Sequence, residues 1–504
     1  MAQHFYNNSY SWSENYSPLF DIPSGDSVTF GPSASLISSG INSPAVKMTG
    51  EATIQMQAGA QIVATHEAFH ASGGNNTFEM EAQTYLHGGS RAMIAYGTNN
   101  TFNISQGAEI SAGSDDNVYS AAIYSDGSST INTSGIIGGY GPYTTAIFLS
   151  GGNNQIESAG AGTIFDGCIF SKYIAIDILE SNNTIDNSGL IIGEAGPAIR
   201  IDGSRGGTNT INNMKIILNP TGGGIGDAIL IYGQFADSSS DRINNDGLYP
   251  QAPAEIFGRI SLNGGDDSVV NGRAGVIHDL IDLGDGRDIL ENDGITAGVI
   301  SLGAGPDSLM NRAKMLGAGI SLGSGDDRIS NSGNITSYIH LDDGDDRYYS
   351  FIDGSSPTGT VTGEIHGGSG SDEIYGGNSN DIINGGSDSD FLHGGAGSDI
   401  FRFNTELDRN IDRVDDFKPG EDQVQLYRYI FEGLQPGYLP EDAFCRGSSP
   451  QDASDRIGYD PFTGHVWYDQ DGTGETQTIV FAVLKSNFGI VPYLRLNASD
   501  FLIV

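Results

Sequence analysis

Four consecutive nonapeptides near the C-terminus read GGSGSDEIY (367–375), GGNSNDIIN (376–384), GGSDSDFLH (385–393) and GGAGSDIFR (394–402). Each fits, fully or nearly, the pattern Gly-Gly-x-Gly-x-Asp-x-apolar-x, in which six turn residues precede a three-residue strand. Glycines permit positive φ and bring backbone carbonyls close to a cation. Carboxylates are the hard oxygen ligands that suit Ca²⁺. The spacing therefore predicts a parallel β-roll whose turns bind calcium.

The predicted calcium ligands are the glycines and polar residues of these turns. They are Gly367, Gly368, Gly370, Asp372, Gly376, Asn378, Asp381, Gly385, Asp388, Asp390, Gly394, Gly395, Gly397 and Asp399. Ser379 and Asp388 replace the fourth-position glycine, so we expect those two turns to bind less tightly. A merely flexible Gly-rich linker would not keep aspartate and an apolar residue in phase.

The same frame recurs upstream, with leucine in place of the first glycine. It appears at intervals of 19 to 21 residues in LNGGDDSV (262–269), LGDGRDIL (283–290), LGAGPDSL (302–309), LGSGDDRI (322–329) and LDDGDDRY (341–348). The aligned carboxylates are Asp267, Asp288, Asp307, Asp327 and Asp346. They are either further calcium ligands or turn aspartates that stabilise their own loops. A period of this length, with short V/I/L-rich strands between glycines, predicts a β-solenoid coil.

In the N-terminal half, asparagine takes the aspartate position of this frame. The aligned residues are Asn76, Asn100, Ser129, Asn154, Asn183 and Asn209, and the position turns acidic at Asp241. Stacked asparagines satisfy one another by hydrogen bonds in a ladder, whereas stacked aspartates repel and need a cation between them. The contrast predicts a metal-free solenoid that continues into a calcium-loaded one, with the aspartates forming one column.

The predicted fold is all-β: a parallel β-solenoid, in which a β-helix continues into a calcium-binding β-roll with a β-rich C-terminal cap. We divide the chain into five segments. They are an N-terminal cap or docking arm (1–40), an Asn-ladder solenoid (41–250), an Asp-bearing solenoid with coils of about 20 residues (251–365), the β-roll (366–402) and the C-terminal cap (403–504).

Composition limits the function classes. The 504 residues carry 63 Asp and Glu against 23 Lys and Arg, a formal net charge of −40. Nucleic acid is a poor partner for such a chain because phosphate needs the opposite charge. No stretch approaches the length of a membrane-spanning helix, so we expect no membrane insertion. Cys168 and Cys445 lie far apart and form no metal or redox motif.

Two catalytic interpretations are weak. HEAFHASGG (66–74) contains the HExxH zinc-protease signature, but that chemistry needs a helix, and the segment aligns with the repeat strands. We therefore interpret it as a chance match. Arg91, Lys172, Arg200, Arg205 and Arg242 fall at different phases of the coil, so no basic cluster for polysaccharide chemistry is expected. The chain is accordingly not expected to be an enzyme.

The nonapeptides, DDFKPGEDQVQL (415–426), FTGHVWYDQDGTGETQTIVFAVL (462–484) and the terminal LNASDFLIV resemble the RTX family over residues 365–504. RTX proteins are calcium-binding proteins that bacterial type I exporters secrete. The resemblance implies an uncleaved C-terminal signal at Asp500, Phe501, Leu502, Ile503 and Val504. It also implies export in an unfolded state and folding outside the cell in millimolar calcium, consistent with an N-terminus that has no secretion-signal pattern.

We expect an extracellular, calcium-binding structural protein that self-assembles in a surface layer, filament or biofilm matrix, because repeat and cap use up almost the whole chain. An adhesin or a binding protein for cell-surface polysaccharide is the alternative. A polysaccharide lyase or epimerase is a third reading. The expected partners are calcium ions, other copies of the chain and the exporter.

Overall fold

The structure is a computed structural model. It describes residues 2–12, 18–39, 43–113, 120–159, 167–203, 206–219, 227–232, 240–247, 253–352, 356–407, 410–486 and 494–504. The chain forms two compact units, Met1–Gly284 and Asp285–Val504, called here the N-terminal and C-terminal units. Apart from two 3₁₀ helices, at Glu441–Ala443 and Ala498–Asp500, every regular element of the described residues is a β-strand. The predicted all-β parallel solenoid is confirmed, and the five finer segment boundaries stay predictions.

Each coil of the N-terminal unit contributes one strand to each of three faces, A, B and C. The strands of face A are Gln3–Tyr6, Ser27–Phe30, Thr53–Met56, Thr77–Met80, Asn100–Ile104, Ser129–Thr133, Gln155–Ser158, Thr184–Asn187, Thr210–Asn213, Arg242–Asn245 and Ser268–Asn271. Those of face B are Ser9–Trp12, Ser35–Ser38, Gln61–Ala64, Tyr85–Gly88, Glu109–Ala112, Ile136–Gly139, Cys168–Ser171, Leu190–Gly193, Ile216–Leu218, Ala254–Phe257 and Gly275–Ile277. Those of face C are Phe20–Ile22, Val46–Thr49, Glu67–Ser72, Arg91–Tyr96, Ser120–Asp126, Thr144–Leu149, Ile176–Ile178, Ile199–Asp202, Asp227–Tyr232, Arg259–Ser261 and Ile281–Asp285.

Apolar residues at one position of successive coils stack inside the N-terminal unit. Parallel pairing on face A aligns Phe78 with Phe102, and Phe102 with Ile131. All three side chains are buried, and the Phe78 and Phe102 rings stack with centroids 5.0 Å apart. Alternation along each strand places the neighbouring residues outside. The core is thus a set of apolar ladders, with the coil corners at fixed positions between them.

The C-terminal unit begins with three faces and changes to two. Its face A strands are Ile289–Asn292, Ser308–Asn311, Arg328–Asn331, Arg347–Tyr349, Glu373–Gly377, Phe391–Gly395, Asp412–Val414 and Ile479–Leu484. Face B has Ile295–Thr296, Lys314–Met315, Asn334–Ile335 and Thr360–Val361. Face C has Ile300–Ala304, Ile320–Ser324, Ile339–Asp343, Glu364–Ser369, Ile382–Ser387, Ile400–Phe403, Gln423–Leu426 and Phe501–Ile503.

The loss of face B follows from the repeat length. Asp307 and Asp327 occupy equivalent positions 20 residues apart, whereas Asp372 and Asp390 are 18 residues apart. A coil of two nonapeptides holds two turns and two strands and has no residues left for a third strand. The nonapeptides therefore form a flattened roll of faces A and C, as the glycine spacing predicts.

A β-rich cap covers the last coils of the C-terminal unit. Phe501–Ile503 pairs in parallel with Gln423–Leu426 on one side. On its other side, Phe501–Ile503 pairs antiparallel with Gly437–Tyr438. Phe444–Arg446 pairs with Ile457–Tyr459, and His465–Tyr468 forms an antiparallel hairpin with Ile479–Leu484. The predicted cap is thus a mixed sheet. In the part of the chain that the structure describes, no helix is long and apolar enough to cross a membrane.

Candidate calcium-binding columns

The predicted asparagine ladder is present in the N-terminal unit. The Nδ2 of Asn76 donates to the Oδ1 of Asn100 at 2.9 Å, and Asn154, Asn183 and Asn209 continue the pattern at 2.9 Å per step. The same Oδ1 atoms also accept the backbone N–H of the preceding coil, at 3.1 to 3.2 Å. At Asn183 both the Nδ2 and the Oδ1 of the side chain are therefore used, whereas Asn76 Oδ1 has no partner. These side chains carry no charge, so the corner needs no metal to neutralise them.

The pairs of adjacent asparagines in these corners are explained by backbone conformation as well as by the ladder. The first residue of each NN pair lies in the left-handed region, with φ of 58° at Asn75, 61° at Asn99, 60° at Asn153 and 65° at Asn182. Asparagine tolerates this region better than other residues with a Cβ atom. The first asparagine thus makes the turn and the second builds the ladder.

Aspartates keep the backbone part of this pattern in the C-terminal unit. The N–H of Asp288 donates to Asp307 Oδ1, Asp307 N–H to Asp327 Oδ1 and Asp327 N–H to Asp346 Oδ1, each at 2.7 Å. Asp346 donates likewise to Asp372 at 2.9 Å. The change from amide to acid occurs in the N-terminal unit, where Asn209 Nδ2 donates to Asp241 Oδ1 and Asp241 N–H donates to Asp267 Oδ1.

The nonapeptide aspartates form two columns, so the prediction of one continuous column is wrong for residues 367–402. The N–H of Asp372 donates to Asp390 Oδ1 at 2.8 Å, while Asp381 N–H donates to Asp399 Oδ1 at 3.0 Å. Because nine residues make half a coil, alternate turns lie at opposite edges of the roll. Asp412 and Asp422 extend the two columns into the cap, at 3.2 and 3.0 Å.

Seven of the described column aspartates have a second carboxylate oxygen without a protein partner. Buried Oδ2 atoms without a hydrogen bond occur at Asp307, Asp327, Asp346, Asp372, Asp381, Asp390 and Asp399. Each of these residues is at most 3% exposed. A buried carboxylate oxygen without a donor is strongly unfavourable unless a cation is bound to it. The sites are therefore short of positive charge.

Beside the first glycine of the first two nonapeptides, an aspartate Oδ2 atom and a backbone carbonyl oxygen lie close together. A Cβ atom on Gly367 would lie 2.2 Å from Asp372 Oδ2 and 2.1 Å from the carbonyl oxygen of Gly385. On Gly376 it would lie 2.7 Å from Asp381 Oδ2 and 2.4 Å from the carbonyl oxygen of Gly394. Only glycine leaves this oxygen-lined space open.

The donor set fits calcium. Each turn contributes one carboxylate and glycine carbonyls, which are hard oxygen ligands in a flexible arrangement. No cluster of three or more His, Cys, Asp or Glu side chains that could hold a metal occurs among the residues described. Carboxylate and carbonyl oxygens suit Ca²⁺, whereas softer metals prefer thiolate and imidazole ligands. When bound, Ca²⁺ would neutralise the carboxylates and be coordinated by these oxygens.

The turns without the fourth-position glycine differ in detail. Asp388 lies where Gly370 and Gly397 have φ of 115° and 129°, and it adopts φ of 75° itself. Its Oδ1 accepts a hydrogen bond from Asn410 Nδ2 at 3.1 Å. Asn378 donates its side-chain amide to the carbonyl of Pro357. Both side chains thus have protein partners, and their assignment as calcium ligands stays a prediction.

A second asparagine ladder escaped prediction. Asn187, Asn213, Asn245 and Asn271 stack by Nδ2 to Oδ1 bonds of 2.8 to 2.9 Å. Asn292, Asn311 and Asn331 form the same ladder in the C-terminal unit, at 2.9 Å per step. Each follows a column residue by four positions, as in TIDN, RINN and SLMN. That spacing is the signal that would have found it.

Comparison with known families identifies the nonapeptides. Residues 366–401 match the model of the RTX calcium-binding nonapeptide repeat in four copies. The chain carries RTX calcium-binding repeats. Its RTX repeats bind multiple Ca²⁺ ions, and RTX-repeat proteins are generally secreted. The comparison with curated proteins found no match.

When no cation is present, burial raises the pKa of the column carboxylates above that of an exposed aspartate. Burial, with neighbouring aspartates adding to it, raises the pKa of Asp327 to about 8 and that of Asp372 to about 8. Burial raises the pKa to about 7 at Asp346, Asp381 and Asp390, and to about 6 at Asp307 and Asp399. Protons and calcium therefore compete for the same oxygens near neutral pH.

This competition predicts opposite pH effects with and without calcium. A carboxylate whose folded pKa is raised takes up protons on folding, so its destabilising effect grows as pH rises through its folded pKa of about 6 to 8. In metal-free buffer, the urea midpoint of the C-terminal unit should therefore be higher at pH about 5 than at pH about 8. In millimolar calcium the order should reverse, because the ion binds the ionised form. The same order in both buffers would contradict this competition.

The HExxH motif lies on a strand, as predicted. Glu67–Ser72 is a strand of face C, with His66 immediately before it. His70 Nδ1 lies 3.0 Å from Glu67 Oε2, and His66 Nε2 lies 3.8 Å from Glu67 Oε1. The carboxylate is therefore engaged by both rings, and the helix that the zinc-protease motif requires is replaced by a strand. The interpretation as a chance match is supported.

Arg91 and Arg200 lie at different phases of the coil, as predicted. Arg91 aligns with Ala121, whereas Arg200 aligns with Asp177. Both nevertheless line the same pocket of face C, which the one-dimensional frame did not capture. Arg205 lies outside the described residues.

Both cysteines are free and buried, and burial raises the pKa of each thiol to about 11.

Proposed function

We propose that this RTX-repeat protein is an extracellular structural protein whose C-terminal unit folds around calcium and which assembles end to end in a surface layer, filament or matrix. The buried Oδ2 atoms of the two aspartate columns carry the calcium part of the proposal. In it, ions also occupy the turns of Asp267, Asp288, Asp307, Asp327 and Asp346, because their backbone geometry is that of the nonapeptide turns.

The first coil of the N-terminal unit supports assembly. Gln3–Tyr6, Ser9–Trp12 and Phe20–Ile22 each pair with a following strand on one side. Among the described residues they have no strand on the other side. Phe5 on this coil is 62% exposed. Unpaired strand edges recruit further strands, and a heterologous contact at such an edge yields an open assembly.

The C-terminal segment supports export before folding. Asp500 Oδ1 accepts the N–H of Gly420 at 2.9 Å, and its Oδ2 accepts the N–H of Asn497 at 2.7 Å. Phe501 and Ile503 are buried in the cap. An exporter that reads residues 500–504 would need them before the cap forms. Low calcium in the cytosol would keep the C-terminal unit open until export is complete.

Electron microscopy of the full-length protein tests the assembly. We expect ordered polymers in millimolar calcium and their disappearance in EGTA. Phe5→Lys should reduce assembly strongly, because a lysine on an edge strand opposes pairing. Phe462→Lys is the matched control, since Phe462 is 76% exposed in the cap. Monodisperse particles at every protein concentration in calcium would refute the assembly proposal while leaving calcium binding intact.

A further inference from the structure

Face C of the N-terminal unit carries a line of outward-facing side chains that the calcium columns do not use. Parallel pairing aligns Tyr124 with Phe148, Phe148 with Asp177, and Asp177 with Arg200. These residues come from four successive coils. Their position in register brings two aromatic rings and an ion pair next to each other on one surface.

The aromatic part of this line is a ladder of rings. The rings of Tyr124 and Phe148 stack with centroids 5.4 Å apart and an angle of 11° between their planes. The Tyr96 ring is tilted by 58° to that of Tyr124, with their centroids 6.0 Å apart. The guanidinium of Arg91 lies over the Tyr124 ring, 5.0 Å from its centroid. Tyr124 and Phe148 are both partly exposed.

The polar end of the line is fixed in place. Arg200 Nε donates to Asp177 Oδ1 at 2.8 Å, and Arg200 Nη2 donates to Asp177 Oδ2 at 2.5 Å. Asp177 is 3% exposed, whereas the side chain of Arg200 keeps 27% of its surface exposed. A bidentate pair of this kind has little freedom left and presents donors and acceptors at fixed positions.

A pocket of about 370 Å³ is lined by Arg91, Tyr124, Phe148, Tyr173, Asp177 and Arg200. Its size is within the range of small-ligand sites, and such sites combine an apolar surface with a few placed polar groups. A sugar ring matches this combination, since it has an apolar C–H face and a rim of hydroxyls. We propose that the pocket binds a sugar unit of a neutral polysaccharide, packed against the exposed parts of Tyr124 and Phe148 and hydrogen-bonded to Asp177 and Arg200.

Charge favours a neutral ligand over an acidic one. Arg200 is paired with Asp177, and Arg91 Nη1 lies 3.9 Å from Glu67 Oε1. Two cations and two anions therefore balance at the pocket. The whole chain carries a net charge of −40, which repels a polyanion at longer range. A pocket for uronate chains would need unpaired positive charge.

The same residues favour binding over catalysis. Glycoside hydrolysis commonly uses two carboxyl groups on either side of the bond that breaks. Of the described residues that line the pocket, Asp177 is the one carboxylate, and both of its oxygens are bonded to Arg200. The proposal is independent of the assembly proposed above, because it concerns a lateral face rather than the first coil.

Affinity electrophoresis of the full-length protein in calcium tests the proposal. The probes are the neutral polysaccharides dextran, galactomannan and mixed-linkage β-glucan, with alginate and polygalacturonate as acidic probes. We expect at least one neutral polysaccharide to retard the protein. Phe148→Ala should weaken that binding by about tenfold or more, because it removes a stacking surface. Phe148→Tyr should retain it.

Matched variants keep the outcome decisive. Phe462→Ala removes an aromatic ring that is 76% exposed in the cap and should bind as the unaltered protein does. If Phe148→Ala fails to fold by circular dichroism, Tyr124→Leu replaces it as the test. Retardation by no neutral polysaccharide, retardation by alginate or polygalacturonate alone, or unchanged binding in the folded pocket variant would each overturn the proposal.

Discussion

Removal of calcium is expected to unfold the aspartate-bearing coils of the C-terminal unit while the asparagine coils of the N-terminal unit stay folded. Without a cation, the C-terminal columns contain buried carboxylate oxygens that have no partner. In the N-terminal corner, uncharged asparagines are linked by amide bonds of 2.9 Å and need no ion to neutralise them. The asparagine ladder and the aspartate columns share a backbone hydrogen-bond pattern. The difference in their response to calcium removal should therefore come from the side-chain chemistry alone.

The expected effect is large. A site occupied at a hundredfold above its Kd stabilises the folded state by about 2.7 kcal/mol. Three such sites contribute about 8 kcal/mol, which is comparable to the total stability of a typical domain. Hydrogen–deuterium exchange measured with calcium and with EGTA would resolve the two regions. In EGTA, peptides from 288–403 should exchange rapidly, whereas peptides from 76–213 should keep their protection.

Two outcomes would contradict this account. Equal loss of protection in both regions would mean that the asparagine ladder does not stabilise its own coils. Unchanged protection of 288–403 in EGTA would mean that the buried carboxylates are satisfied by protons rather than by calcium. A measurement at pH about 8 limits protonation and separates these cases.

Asp372→Asn should have opposite effects on stability in the two buffers. Asp372 is 2% exposed, and its Oδ1 accepts the N–H of Asp346 at 2.9 Å, a bond that asparagine can keep. In calcium the variant loses a charged ligand, and we expect the free energy of unfolding to fall by about 2 to 3 kcal/mol. In EGTA at pH about 8 it should rise, because a buried negative charge is removed. Urea unfolding in both buffers measures both changes.

The reciprocal substitution, Asn183→Asp, is the internal control. Asn183 is 1% exposed, and its Nδ2 donates to Asn209 Oδ1 at 2.9 Å. An aspartate would place an oxygen against that oxygen, and we expect a loss of about 3 to 5 kcal/mol with or without calcium. Asp442→Asn changes an exposed aspartate of the cap, and we expect it to change the free energy of unfolding by no more than about 0.5 kcal/mol in either buffer. A calcium-independent effect of Asp372→Asn would refute its role as a ligand.

Much of the fold could be predicted because one repeat frame governs a large share of the chain. The apolar residue two positions after each column residue, such as Phe78 or Ile131, fixes the inner side of a strand, and the glycines fix the corners. The asparagine ladder followed from the same alignment, since a stacked amide can donate to its neighbour and accept from it. These features depend on local spacing, which the sequence contains directly.

Other features depend on how coils pair, and the sequence frame did not contain that information. The separation of Asp372 and Asp390 from Asp381 and Asp399 requires knowing that a nonapeptide is half a coil. The pocket of Arg91 and Arg200 requires the register of five coils whose lengths differ. Insertions at the corners change the sequence distance between stacked residues without changing their position on the face.

Native mass spectrometry of the full-length protein in calcium counts the bound ions and tests the central claim most directly. If the aspartate columns extend from the RTX repeats upstream through Asp346, Asp327 and Asp307, more than four ions should be bound, and Asp327→Asn should reduce the number. A saturated complex with four ions or fewer, unchanged in Asp327→Asn, would confine calcium to the nonapeptides and contradict the extended columns.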